Sequence, residues 1–206
     1  RWALDLNGKA NLKSIWIEDD WMVTPNGTAL NPIARHPKFK EAFRQAGILV
    51  KYLGWDCCRS IGYQPFITFL SQFGLHNQTF DSDKDNTIHL MGVSYWFPYD
   101  DKCGFTWDIG CWWASVFVEK IRDMGYSDES ILLTTVHEAG HAVGLVGDHS
   151  PNDPSSYTEN PRPGYPGQYL ECVMCQGGPA LASYRDYRFC RSCRDALKQL
   201  SNQWHQ

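Results

Sequence analysis

The run His137-Glu138-Ala139-Gly140-His141, with Gly144 three residues beyond it, restricts this chain more than any other stretch. It continues an amphipathic pattern that starts near Ser127 or Asp128, either of which can cap a helix, and carries Ile131, Leu132, Thr135 and Val136 on an apolar face. On such a helix His137 and His141 lie one turn apart, so their imidazoles converge and suit two corners of a tetrahedral zinc site. Glu138 points aside. It is poorly placed as a ligand, yet it can take a proton from a water that the metal activates, as a general base does in metal-assisted peptide hydrolysis. Gly144 lets the chain leave the helix with positive φ and double back under the ion. The returning segment then offers Asp148 and His149 as a third ligand.

The eight cysteines supply the second constraint. Cys172-x-x-Cys175 and Cys190-x-x-Cys193 form two knuckles separated by fourteen residues, a spacing that gives four thiolates to a structural zinc. Two disulfides are the alternative, favoured if the protein is exported. The sequons Asn26-Gly27-Thr28 and Asn77-Gln78-Thr79 would accompany export, so the compartment stays open between secreted and cytoplasmic. Cys103 and Cys111 frame a seven-residue loop and can bridge, whereas Cys57 and Cys58 take no assignment.

A third cation is suggested by Asp81, Asp83 and Asp85, which occupy positions 1, 3 and 5 of a calcium-loop pattern with Ile88 at position 8. Position 12 would be Gly92 where the pattern wants Glu, so a solvated acidic turn is the competing reading. A net charge of −4 without a Lys/Arg-rich run gives no footprint for nucleic acid. No apolar stretch approaches the roughly 20 residues needed to span a membrane. The remaining histidines, His36, His76, His89 and His205, lack ligand spacing and read as structural or solvated.

Patterning predicts strands over 13–19, 48–55 and 87–97, and helices over 36–47, 64–74, 112–124, 127–145 and 188–200. The Pro-, Gly- and Asn-rich segment 151–167 reads as a long loop.

The segment HEAGHAVGLVGDH resembles the metzincin clan of zinc peptidases, whose signature is HExxHxxGxxH or D. The match holds through Gly144, after which the third-ligand position falls on Gly147. His149 is taken as the third ligand, with Asp148 as second choice. Cys172-Val173-Met174 followed by Cys190-Arg191-Ser192-Cys193 resembles the archaemetzincins in particular. In that family the methionine makes a tight turn beneath the catalytic zinc, a role that falls here to Met174, and four cysteines hold a second zinc. The family's pattern puts one of those cysteines directly after the third histidine; this chain has Ser150 there, and Cys175 replaces it. The resemblance covers Ile88 to Leu200, about half of the chain, and rests on these motifs.

The expected fold is α/β: one catalytic domain spanning 1–206, with a twisted mixed sheet, two long helices and a small irregular C-terminal lobe. The upper lobe would run to about residue 147 and the lower lobe, with Met-turn and cysteine cluster, from about 148. Such a domain would be a zinc metallopeptidase, endopeptidase or aminopeptidase-like, acting on a peptide or protein in a cleft beside an edge strand; 87–97 is the candidate strand. Two rivals stand beside it. One is a gluzincin-type peptidase with Glu159 or Glu171 as third ligand, and the other a zinc-bearing structural protein without turnover.

Overall fold

A computed structural model describes residues 13–53, 60–80, 85–96, 102–146, 149–150, 153–175 and 185–204. Strand β1 (Lys13–Met22) forms its spine, flanked by β2 (Ile48–Tyr52) on one side and β5 (Thr87–Val93) on the other, both parallel to it. Beyond β5 comes β8 (Trp113–Phe117), again parallel, and then β7 (Gly104–Thr106), antiparallel and last in the order. Short β3 (Ser60–Ile61) extends the far end of β1, while β4 (Phe66–Ile67) and β6 (Tyr95–Trp96) pair separately. The fold is therefore mixed α/β with a mostly parallel sheet, as expected.

Helices cover both faces, as a mostly parallel sheet requires. Helix α1 (Pro37–Gln45) starts at His36, whose ring nitrogen accepts from Lys38 N–H at 3.2 Å, with proline at its first position. It packs Phe39 and Phe43 onto Ile15, Ile17, Ile88 and Leu90; each fully buried ring contributes about 2 kcal/mol. Helix α4 (Asp128–Ala142) adds Leu132, Val136 and Ala139 to the same cluster. Asp128 and Glu129 in its first turn complement the helix dipole. On the other face, α2 (Phe69–Thr79) and α3 (Val118–Asp123) enclose Met22, Met91, Trp113 and Phe117 with Leu75 and Ile121. A capping box between Thr68 and Ser71 starts α2.

Three expectations are corrected here. Residues 113–117, read as the start of a helix, form β8, and only Val118–Asp123 is helical. All five residues of β8 are buried, so its side chains show no period-2 alternation to identify it. The segment 87–97 is no edge strand, because β5 lies between β1 and β8; β7 takes the outer place. Within 151–167 the chain makes a 3-10 turn (Pro154–Ser156) and β9 (Tyr157–Pro161), which pairs antiparallel with β10 (Tyr169–Glu171).

The chain ends in α5 (Arg191–Ser201), whose N-cap is Cys190. Val173, Met174, Phe189 and Leu197 join the α1–α4 core cluster, so the C-terminal segments share its packing. No helix among the described residues is long and apolar enough to cross a membrane.

Candidate metal centres

His137 and His141 leave α4 one turn apart, and their Nε2 atoms stand 3.1 Å from each other. His137 Nδ1–H donates to Val173 O at 2.8 Å, and His141 Nδ1–H donates to Leu145 O at 2.9 Å. Both protons are thereby fixed on Nδ1, leaving two Nε2 lone pairs aimed at one point, as the outer hydrogen bonds of metal-ligating imidazoles do. Two imidazoles on a tetrahedral zinc at about 2.05 Å would hold their nitrogens about 3.3 Å apart. The pair fits.

Local sequence explains each anchor. Gly144 has φ +109°, and its N–H donates to His141 O at 3.0 Å while Leu145 N–H reaches Gly140 O at 3.0 Å. This reversal delivers the Leu145 carbonyl to His141. Val173 comes from the turn below the helix, where Met174 is fully buried. A Cβ on Gly140 would lie 2.7 Å from the Met174 sulfur, so the helix is cut back at that point to seat the methionine against it.

Glu138 is 7 % exposed and faces the edge strand β7. Thr106 Oγ1 donates to Glu138 Oε2 at 2.7 Å and lies 3.1 Å from the Glu138 carbonyl oxygen. Gly104 lies so close that a Cβ there would stand 2.5 Å from Glu138 Cγ. Sequence reasoning missed both residues. Three residues of strand carry no periodicity, and only the antiparallel register of β7 on β8 brings them beside the helix.

His149 was expected beside His137 and His141. Its ring instead turns to the cysteines, with Nε2 at 3.0 Å from Cys193 Sγ and 3.4 Å from Cys190 Sγ. Ligand atoms of His149, Cys172, Cys190 and Cys193 all lie within 4.8 Å of one another. The donor set is thus three sulfurs and one imidazole. Cys175 is not in it; its backbone forms a parallel bridge with His149, and burial pushes its thiol up from the ordinary value. The sulfurs of Cys172 and Cys193 stand 3.9 Å apart, against about 3.8 Å for two thiolates on tetrahedral zinc. Backbone N–H groups of Cys190 and Met174 point at Cys172 Sγ at 3.1 and 3.5 Å. Cys190 and Cys193 occupy the first turn of α5, where the helix dipole favours negative sulfur.

Without metal, the three sulfurs differ in how firmly they hold a proton. Hydrogen bonds from Cys172 and then Cys193 hold the Cys190 thiol far below the ordinary range. Burial pushes Cys172 well above it. Cys193 is pulled down by Cys172 but lifted more by Cys190 and by burial, ending at about 12.

Other expected residues fall elsewhere. Asp148 lies outside the described residues, as do Asp81, Asp83, Cys57 and Cys58. Asp85 sits exposed in the turn before β5, and Gly92, at the twelfth calcium-loop position, lies inside that strand. Cys103 and Cys111 are not bridged to each other. Glu159, on β9, pairs with Arg194 at 2.9 Å, and Glu171 ends β10; neither stands on a second helix as a gluzincin ligand would.

An archaemetzincin from Archaeoglobus fulgidus superposes with a TM-score of 0.52 over 88% of this chain and 98% of its own, at 16% identity. The fold is archaemetzincin-like. A second archaemetzincin, from Methanopyrus kandleri, matches with a TM-score of 0.48 and 13% identity over 93% of this chain and 96% of its own. A chain from a chaperone–substrate complex matches at 0.49 and 14% identity over all of this chain but 37% of its own. No protein-family model matches the chain, and no curated protein matches it in sequence.

Proposed function

We propose that this protein is a zinc-dependent peptidase. The observation that carries the reading is the convergence of two Nδ1-anchored imidazoles beside a carboxylate held by Thr106. Bound there, zinc would supply Lewis acidity toward a water and a peptide carbonyl. Glu138 takes a proton from the attacking water at Oε1, because Oε2 already accepts from Thr106, and passes it to the departing amine nitrogen. β7, outermost in the sheet, offers its backbone to an extended peptide beside Glu138.

The third ligand is assigned to Asp148. In the archaemetzincin pattern the third ligand directly precedes a cysteine of the second zinc site. With His149 among the cysteines, that order is kept if His149 takes the cysteine's place and Asp148, one step earlier, takes the ligand's. Four residues, His149, Cys172, Cys190 and Cys193, would then hold a structural zinc.

Paired substitutions test this division. Asp148→Ala should remove one zinc per chain and all peptide hydrolysis while leaving thermal unfolding nearly unchanged. His149→Ala should remove the other zinc and lower the unfolding temperature. Hydrolysis by the Asp148→Ala protein at the parent rate would refute the ligand assignment. If the parent cleaves no member of a peptide library while holding both zinc ions, the structural-protein reading replaces this one.

Gly104→Ala gives a second handle. The added methyl meets the Glu138 side chain and displaces its carboxylate, and a shift of about 1 Å costs on the order of 10²-fold in rate. Elemental analysis should find the zinc content unchanged while kcat falls.

A further inference from the structure

Glu18 and Asp20 are two residues apart on β1, so both side chains leave the same face of the sheet, opposite the one that packs Ile15 and Ile17 against α1 and α4. Parallel register sets His89 of β5 directly beside Glu18. All three side chains are fully buried. A carboxylate oxygen from each acid and a ring nitrogen of His89 lie within 4.8 Å of one another. His89 Nε2 stands 2.9 Å from Asp20 Oδ2, with Thr79 Oγ1 at 3.4 Å. On its far side, His89 Nδ1 is held at 2.7 Å by Nδ1 of His76, which descends from α2.

We infer that Glu18, Asp20 and His89 bind a divalent cation inside the domain, of the zinc or manganese class. Three features carry this. The ligand atoms come from two adjacent strands whose register is fixed by backbone pairing, so their convergence does not depend on flexible loops. His89 is gripped at one ring nitrogen and presents the other to the carboxylates, the arrangement of an imidazole ligand with its supporting hydrogen bond. The donor set, two carboxylates and one imidazole, suits zinc, manganese or iron(II), whereas calcium takes oxygen alone and copper(I) prefers sulfur. Two carboxylates this close in a protein interior repel each other, and a cation between them turns that repulsion into shared attraction. The site belongs to neither centre on the α4 side. Its ion would tie β1 and β5 to the helix above them, with Thr79 Oγ1 as a further oxygen within reach.

Because every ligand is buried, the ion must enter as the chain folds. The protein is therefore unfolded with denaturant and chelator, refolded without metal, with zinc alone or with zinc and manganese, and dialysed. Metal per chain and unfolding temperature are then measured. The parent should retain one equivalent of divalent metal more than Glu18→Gln or Asp20→Asn, and its unfolding temperature should rise when the cation is present during refolding. His137→Ala/His141→Ala should keep this equivalent while losing another, so the outcome is independent of the peptidase reading. Equal metal content in the parent and Glu18→Gln would overturn the proposal, leaving a network of shared protons and ion pairs. Should both variants fail to fold, the His137→Ala/His141→Ala protein decides: retention of no more than the one equivalent that the cysteine centre holds overturns it as well.

Discussion

Glu138→Gln is expected to lower kcat by about 10³-fold while the zinc content stays at the parent level. Glutamine preserves the shape of a side chain that is nearly buried between β7 and α4, and its amide oxygen can still accept from Thr106. It lacks a basic oxygen, so the water keeps its proton and the leaving amine receives none. The imidazoles gain their orientation from Val173 and Leu145, neither of which the change touches. Loss of rate without loss of metal therefore isolates proton transfer. A glutamine variant as fast as the parent would remove Glu138 from the chemistry. One that also lost zinc would make it a ligand or a structural support.

The largest effect on stability is expected from the sulfur centre. Cys193→Ser should cost about 3 kcal/mol or more and release one zinc per chain, because a structural zinc contributes its binding energy to folding. Cys172 and Cys190 are fully buried among Val173, Met174, Phe189 and Leu197, so an unfilled cluster leaves polar sulfur inside the core. Without metal, one thiolate at Cys190 is shared with two thiols whose protons are firmly held. Zinc uptake must expel those two protons, so affinity should fall as pH falls, seen as easier extraction by a chelator. Cys175→Ala separates the donor sets. It should retain zinc and cost on the order of 1 kcal/mol, the loss of one small buried side chain. If Cys175→Ala lost zinc and His149→Ala did not, the four-cysteine set would be restored.

What could be read in advance depended on how far apart the partners lie in sequence. Helix α4 and the meeting of its histidines were legible because His137, Glu138 and His141 fall within one turn, where spacing is geometry. Helix α1 was legible from its four-residue apolar period and the glycine behind it. β8 was misread because Trp113, Val116 and Phe117 fit helical spacing, and a strand buried on both faces offers no alternation to contradict it. β7, Gly104 and Thr106 were invisible, being too short for any period. His149 was weighed against the nearest histidines along the chain, whereas its ring meets cysteines more than forty positions away. Glu18 and His89 illustrate the same limit, since nothing in either segment announces the register that joins them.

The turn at residues 172–174 gives one element to each centre: a sulfur of Cys172 below, and the Val173 carbonyl that fixes the His137 proton above. That carbonyl is synthesised thirty-six positions after the imidazole it orients. A growing chain that has not yet reached it leaves His137 able to carry its proton on either nitrogen. Productive metal binding at this pair would therefore wait on the folding of the turn that carries Val173.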